Sequence, residues 1–167
     1  MNTLLLFVVQ KLFPIIPDTR GFGAKRFLLR LAGARIGKNV RICSSVRIVG
    51  NGILSIGDNT WVGHQSFISV SETLTIGKDV NIAPRVYIGT GTHEIDCNGT
   101  SIAGKGVSLP VRIGDGAWLC ANCCIIAGVS VGKKSIIAAG AVVIESVPDG
   151  ELWGGVPAKK LRGLTGN

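Results

Sequence analysis

An aliphatic side chain recurs every six residues over most of this 167-residue chain. Neither the 3.6-residue period of a helix nor the simple alternation of a strand produces a period of six. A small residue follows the aliphatic one in twelve of the fifteen cases, which lets the backbone turn without steric cost. The fifteen positions are Ile36, Ile42, Ile48, Ile56, Val62, Ile68, Ile76, Ile82, Ile88, Ile113, Leu119, Ile125, Val131, Ile137 and Val143.

The period predicts a triangular prism. Each six-residue unit forms one short strand and one corner, and three units close a coil of about eighteen residues that stacks on the next at about 4.8 Å. Ile36, Ile56 and Ile76 lie twenty residues apart and begin successive coils, whereas Ile113 and Val131 lie eighteen apart. We therefore predict an all-β fold, a parallel β-helix of about five coils over residues 36–148.

The segment before the repeat predicts an N-terminal helical cap over residues 1–35. An apolar run at residues 4–9 is too short to span a bilayer and lacks the basic start of a signal peptide, so we assign it to the mature fold. Residues 3–13 and 20–34 predict helices that cover the open first coil, whose strand edge would otherwise be bare. The second helix carries an apolar stripe, Ala24, Phe27, Leu28, Leu31 and Ala32, opposite the basic residues Lys25, Arg26 and Arg30.

The repeat is interrupted once, between Ile88 and Ile113. We predict that residues 93–112 form a loop extruded from the third coil. Loops on rigid scaffolds frequently carry chemistry, and this one contains His93. The remaining residues, 149–167, form a C-terminal tail.

Positive charge is concentrated at the N-terminus. Residues 1–47 hold nine Lys and Arg against one acid, Asp18, whereas the rest of the chain is balanced. A nucleic-acid binder would be expected to spread basic groups and interleave aromatic ones along a surface, so we exclude nucleic acid as a partner. A membrane surface or a lipid-linked substrate, contacted through residues 1–33, fits the local bias better.

The cysteine and histidine counts argue against a metal site. Five cysteines form an odd set, and Cys120 and Cys123 form a C-x-x-C pair with no second pair to complete a zinc site. We assign Cys120 and Cys123 to packing, and we expect the protein to reside in the reducing cytoplasm. The chain has two histidines, His64 and His93, fewer than the three that a carbonic-anhydrase-type zinc site needs.

Three motifs carry a family resemblance. The first is Gly91-Thr92-His93 followed by Glu94-Ile95-Asp96. The second is residues 113–119 (IGDGAWL), and the third is residues 153–159 (WGGVPAK). Over residues 36–163 the chain resembles the hexapeptide-repeat acetyltransferases. Within that family it is most similar to the galactoside, maltose and nodulation acetyltransferases and the colanic-acid-type exopolysaccharide O-acetyltransferases. The resemblance implies a left-handed β-helix, although right-handed crossovers are the rule elsewhere.

The resemblance also implies a mechanism and a site. It implies a homotrimer that uses acetyl-CoA as acyl donor, with His93 as general base and the Ala121 N–H as donor to the oxyanion, without an acyl-enzyme. Acetyl-CoA would lie in a groove between two subunits. The implied contacts are Trp118, Ala121, Ala139, Lys159 and Arg162, of which the last two would meet the anionic nucleotide end.

The chain departs from the family pattern in two places. Ile144-Glu145 stands where many relatives have Thr-Lys. The acidic acceptor-binding residue of the galactoside enzymes has no clear match, because Ser71-Glu72 lies nearby in a different pattern. The acceptor is therefore open. We favour O-acetylation of a sugar or polysaccharide precursor, in the cytoplasm or at the inner membrane face. The alternatives are a sugar N-acetyltransferase of the same fold and a non-catalytic trimeric scaffold. His64 is either a coil-face residue or part of an acceptor pocket.

Overall fold

The computed structural model describes residues 1–164 and consists of two short helices followed by a parallel β-helix. Five complete coils of three strands are stacked, as the repeat predicts. The strands are β1 (Arg35–Ile36), β2 (Arg41–Ile42) and β3 (Arg47–Val49); β4 (Ile53–Ile56), β5 (Trp61–Val62) and β6 (Phe67–Ser69); β7 (Thr73–Ile76), β8 (Asn81–Ile82) and β9 (Tyr87–Gly89); β12 (Val111–Ile113), β13 (Trp118–Leu119) and β14 (Cys124–Ile125); and β15 (Ser130–Val131), β16 (Ile136–Ile137) and β17 (Val142–Val143).

The strands stack into three faces of a prism. Face A has the order β1-β4-β7-β12-β15, face B contains β2-β5-β8-β13-β16, and face C is β3-β6-β9-β14-β17. We call the line of corners between faces B and C the BC edge, and the line between faces C and A the CA edge. A hairpin of β10 (Gly91–Ile95) and β11 (Ala103–Ser108) leaves the CA edge after the third coil.

A partial sixth turn closes the C-terminal end. Val147 bridges to Val131 on face A, and β18 (Glu151–Gly154) extends face B by pairing with β16. The chain then reverses, and β19 (Lys159–Gly163) pairs with β18 in the antiparallel sense. The last β-helix strand is thereby covered by the protein's own chain.

The core consists of the aliphatic residues that define the repeat. All fifteen are buried, and each stacks on its equivalent in the next coil, as Ile56 does on Ile76. The small residue that follows is required by close approach of the coils. A Cβ at Gly57 would lie 2.5 Å from the backbone nitrogen of Lys78, closer than real Cβ contacts. The period of six therefore reflects both inward packing and the backbone spacing at the corners.

The N-terminal cap consists of α1 (Thr3–Leu12), a 3-10 turn (Phe13–Ile15) and α2 (Phe22–Leu31). The Asn2 side chain caps α1 by accepting a hydrogen bond from the Leu5 N–H at 3.0 Å. Helix α1 lies against β3, and α2 lies against β1 and β2, so that the pair covers the first coil. None of the helices in the described part of the chain has the length and hydropathy that a membrane span requires.

The orientation of α2 differs from the expected one. Phe27 and Leu31 of the apolar stripe are 60% and 53% exposed, whereas Lys25 is fully buried. The reason is that no strand precedes the first coil, so the carbonyl groups on its free edge accept no hydrogen bonds from a neighbouring strand. Buried carbonyl groups need donors. The basic side chains supply them: Lys25 Nζ donates to Ile42 O at 3.1 Å, Arg26 Nη1 to Val40 O at 3.0 Å and Arg30 Nε to Ile36 O at 2.8 Å.

Candidate active site

The hairpin that carries His93 is anchored firmly at its base. The Leu109 N–H donates to the Thr90 carbonyl at 2.8 Å, and the Ser108 hydroxyl lies 3.0 Å from that of Ser71. Gly91 pairs with Ser108 and His93 with Gly106. The segment expected to be a loop is thus a two-stranded antiparallel hairpin, which holds His93 on regular backbone outside the coils.

A backbone carbonyl fixes the orientation and tautomer of His93. Its Nδ1 lies 2.9 Å from the carbonyl oxygen of Gly104 on the opposite strand. A carbonyl oxygen only accepts hydrogen bonds, so Nδ1 carries the proton and the neutral ring has an unprotonated Nε2. That nitrogen is available to take a proton from another molecule. The sequence offered no signal for this partner because any residue type supplies a carbonyl.

Asp96 of the same motif stabilises the tip of the hairpin and makes no hydrogen bond to His93 in the described structure. Its Oδ1 accepts hydrogen bonds from the N–H groups of Asn98 at 3.0 Å and Gly99 at 2.8 Å. Such a turn holds the polypeptide where β10 passes into β11. The spacing from His93 to Asp96 therefore reflects the geometry of the hairpin.

Ala121 and Ala139 lie one above the other on the BC edge. They follow β13 and β16, and the Gly140 N–H donates to the Ala121 carbonyl at 2.9 Å. Neither alanine's own N–H makes a hydrogen bond within residues 1–164. Two backbone donors are thus left unused at adjacent corners, and the small side chains leave room for a ligand to approach them.

Trp118, Lys159 and Arg162 lie on face B beside this edge. Trp118 is half-exposed on β13, in register with Ile136 on β16. Lys159 and Arg162 are exposed on β19, and Arg162 pairs with Leu152 of β18. Lys159 forms an exposed ion pair with Glu145 at 3.1 Å, at the position where the chain departs from the family pattern.

One chain does not bring all the predicted residues together. Trp118, Ala121, Ala139, Lys159 and Arg162 share face B and the BC edge of the last three turns, whereas His93 projects from the CA edge. The whole of face C separates the two sets. All of β10 is exposed to solvent, although a general base works best in a site from which water is excluded.

His64 has a structural partner in the cap. Its Nδ1 lies 2.6 Å from Asp18 Oδ2, and Asp18 Oδ1 accepts from the Ser45 N–H at 3.0 Å. Burial raises the pKa of Asp18, but the hydrogen bonds from Ser45 and His64 outweigh it, and the pKa lies below its ordinary 3.8. His64 thereby joins the N-terminal segment to the second coil.

Two cysteines, Cys43 and Cys123, are buried in the core of the β-helix. Burial raises the pKa of Cys123 to about 12, so its thiol is protonated at neutral pH. Asp18, Cys43 and His64 place one potential ligand atom each within 4.8 Å of one another. Burial raises the pKa of Cys43 to about 11, and Asp18 is hydrogen-bonded to Ser45 and His64.

Comparison with known proteins identifies the family. The profile described as "Hexapeptide repeat of succinyl-transferase" matches residues 110–145. The Escherichia coli protein named "Putative colanic acid biosynthesis acetyltransferase WcaF" is 34% identical over 138 residues, which cover 83% of this chain and 74% of WcaF. The chain belongs to the hexapeptide-repeat acetyltransferases. Its β-helix is accordingly left-handed, as the resemblance implied.

Two further matches agree with the assignment of this chain to the hexapeptide-repeat acetyltransferases. The Saccharomyces cerevisiae protein "Putative acetyltransferase YJL218W" is 41% identical over 110 residues, covering 66% of this chain and 56% of the yeast protein, so that the chain spans little more than half of that relative. The hexapeptide-repeat acetyltransferase VCA0836 of Vibrio cholerae, solved in complex with acetyl-CoA, has a TM-score of 0.76 at 25% identity. The match covers 98% of this chain and 87% of that one.

Proposed function

We propose that this protein transfers an acetyl group from acetyl-CoA directly to a hydroxyl of a sugar or polysaccharide precursor, with His93 as general base. The observation that carries the proposal is the hydrogen bond from His93 Nδ1 to the Gly104 carbonyl, because it leaves Nε2 free to accept a proton. A hydroxyl is a poor nucleophile at neutral pH unless a base takes its proton during attack. The assignment of WcaF to colanic acid biosynthesis supports a saccharide acceptor.

Each proposed catalytic group has a separate role in the reaction. His93 Nε2 takes the proton of the acceptor hydroxyl as its oxygen attacks the thioester carbonyl, and the imidazolium then returns that proton to the departing thiolate of CoA. The free Ala121 N–H donates to the carbonyl oxygen as negative charge develops there. Cys123 is buried within the β-helix, so its thiol is not available to carry the acetyl group, and the proposed transfer is direct.

The proposed acetyl-CoA contacts lie along one continuous surface. Trp118 bounds the thiol end, the alanines at 121 and 139 let the pantetheine chain approach the backbone, and Lys159 and Arg162 meet the phosphates of the nucleotide. Glu145 holds Lys159 in a weak exposed ion pair, which a phosphate would displace at small energetic cost.

The proposed assembly is a homotrimer, because the site is complete only when two chains meet. A cyclic arrangement that brings the CA edge of one subunit to the BC edge of the next would place His93 beside Ala121 in each of three equivalent sites. The outward rows of the faces support contact through face C. Its row is mostly apolar (Arg47, Phe67, Tyr87, Cys124, Val142), whereas that of face A is polar (Arg35, Ser55, Thr75, Arg112, Ser130).

Replacement of His93 by Ala tests the proposal. We expect kcat to fall by about 10²- to 10⁴-fold, the typical contribution of general-base catalysis, with acetyl-CoA binding retained because the side chain lies outside the core. The assay follows CoA release with simple glycosides, nucleotide sugars, amino sugars and lipid-linked oligosaccharides, which also separates O- from N-acetylation. His64→Ala is the matched control and should keep most of the activity, since His64 contacts Asp18. If His93→Ala retained more than about a tenth of wild-type kcat, with chemistry rate-limiting, His93 would not be the base.

A further inference from the structure

The outer surface of the N-terminal cap is apolar to an unusual degree. In α1, Leu6 and Val9 are buried, while Leu4, Phe7 and Val8 on the other sides are exposed, Phe7 to 59%. Ile15 of the 3-10 turn is 77% exposed. A helix that is hydrophobic all round normally has apolar neighbours on every side, but in the described chain α1 has them on one side.

Helix α2, which contacts α1, also exposes apolar side chains. Because Lys25, Arg26 and Arg30 turn inward to the first coil, Phe27 and Leu31 face outward. An amphipathic capping helix would normally bury its apolar stripe against the coil. Helix α2 instead directs its basic side chains to the coil and exposes part of the stripe. We call the exposed apolar side chains of the two helices and the turn the cap surface: Leu4, Phe7, Val8, Ile15, Phe27 and Leu31.

Positive charge is concentrated in the segment that carries the cap surface and in the first coil beside it. Six basic side chains in the first 47 residues are exposed and take part in none of the ion pairs of the described structure: Lys11, Arg20, Arg35, Lys38, Arg41 and Arg47. The one acid of the segment, Asp18, is hydrogen-bonded to Ser45 and His64. Residues 1–47 therefore carry a strong excess of positive charge, which repels a second cap and attracts an anionic surface.

A groove beside α1 continues the cap surface. It has a volume of about 350 Å³, and its lining combines apolar residues such as Leu6, Phe7 and Val49 with Lys11 and Arg47. Gln10 also lines the groove, and its buried Nε2 makes no hydrogen bond within residues 1–164. An apolar lining with several unused donors suits a molecule that has a hydrocarbon chain and an anionic head.

We propose that the cap surface docks on an anionic lipid bilayer, with Phe7, Ile15 and Phe27 among the apolar side chains that enter the interface and Lys11 near the lipid phosphates. Short helices with an apolar face and flanking basic residues bind in this way, lying in the plane of the membrane. The apolar contribution should dominate, because the basic groups of α2 are occupied within the fold. Binding should consequently persist in about 1 M salt, where the Debye length is about 3 Å, but fall to about the level reached on vesicles without anionic lipid.

Vesicle sedimentation of the full-length protein tests the proposal. We expect binding to vesicles of equal parts phosphatidylcholine and phosphatidylglycerol, and at least about tenfold weaker binding to phosphatidylcholine alone. The double variant Phe7→Ser, Phe27→Ser should lose at least about tenfold in partitioning, since each buried aromatic side chain contributes substantially. Val156→Ser is the matched control, because Val156 is 73% exposed in the turn between β18 and β19, at the opposite end of the β-helix from the cap.

Three results would overturn the proposal. They are the absence of vesicle binding, equal binding to the two kinds of vesicle, and unchanged binding of the double variant. Sedimentation velocity without lipid distinguishes a second occupant: if the double variant forms a smaller assembly than the wild type, another copy of the chain covers the cap surface. None of these measurements uses acetyl transfer, so their outcome is independent of the proposed function.

Discussion

His64 and His93 show how much the role of a residue depends on its hydrogen-bond partner. Both have Nδ1 hydrogen-bonded, His64 to the carboxylate of Asp18 at 2.6 Å and His93 to the carbonyl of Gly104 at 2.9 Å. The carboxylate can stabilise a charged imidazole and holds two parts of the fold together. The carbonyl fixes the orientation of the ring and the tautomer of its neutral form, in which Nε2 is unprotonated. The same side chain is structural in the first setting and suited to base catalysis in the second.

The Asp18 carboxylate should make stability depend on pH. Its pKa is lower in the folded protein than its ordinary 3.8, so the folded state favours the charged form. The resulting stability is present above the unfolded pKa and is lost as the pH falls through the folded value. We expect Asp18→Asn to lower Tm at pH 6, and the difference from wild type to shrink as the pH falls below about 4. Thermal melts at several pH values measure this, and a constant difference across that range would contradict it.

The sequence predicted the candidate base but not its surroundings. His93 stood out because it lies in a motif within the single interruption of the repeat. The Gly104 carbonyl has no sequence signature, and Asp18 and His64 are separated by 46 residues in a pair that no local pattern indicates. Both partners become visible only when the backbone path is known.

The elements show a similar division. The strands were predictable because fifteen inward side chains repeat with one period, and packing alone decides which way they point. The orientation of α2 was not predictable from its apolar stripe. There the free carbonyls of the first coil needed donors, and the long side chains of Lys25, Arg26 and Arg30 could reach them. Hydrogen bonds to the free carbonyl groups contributed more to stability than exposure of Phe27 and Leu31 cost.

The alternation of β19 provides a test of the acetyl-CoA contacts. Lys159 and Lys160 point to opposite sides of the strand, and Lys160 is bonded to Glu151. We expect Lys159→Ala with Arg162→Ala to raise KM for acetyl-CoA by about tenfold or more while kcat changes little, because contacts to the remote nucleotide are similar in ground and transition states. Steady-state kinetics measures both constants.

Lys160→Ala is the control for this prediction, since it removes the same charge from the adjacent position. Its KM should stay within about twofold of the wild-type value. An unchanged KM in the double variant, or an equal rise in the control, would remove β19 from the nucleotide site.

At the scale of the whole molecule, face C separates His93 from Ala121, so the proposed mechanism predicts that activity and assembly are linked. Tyr87 and Phe67 stack on this face with ring centroids 6.0 Å apart. We expect the wild type to sediment as a homotrimer, and Tyr87→Glu to dissociate it and abolish turnover, since a buried unpaired charge at an interface is strongly unfavourable. Sedimentation and the CoA-release assay report the two effects.

Thr75→Glu introduces the same charge in the same coil on the polar face A. It should leave the trimer and its turnover intact. A wild-type protein that is active as a stable monomer would contradict the shared-site arrangement, and so would an active, dissociated Tyr87→Glu variant.

The position of the hairpin has a consequence for the entropy of chain closure. Successive coils pair residues 20 positions apart, as Ile56 and Ile76 do, whereas Ile76 pairs across the hairpin with Ile113, 37 positions on. Closure entropy grows only with the logarithm of loop length, so this detour costs about 0.5 kcal/mol. Ile113 stacks on Ile76 in the same register as Ile76 on Ile56. The hairpin therefore leaves the register of the coils on both sides of it unchanged. A reactive segment can thus be inserted into the stack, lengthened or exchanged almost without effect on the stability of the scaffold.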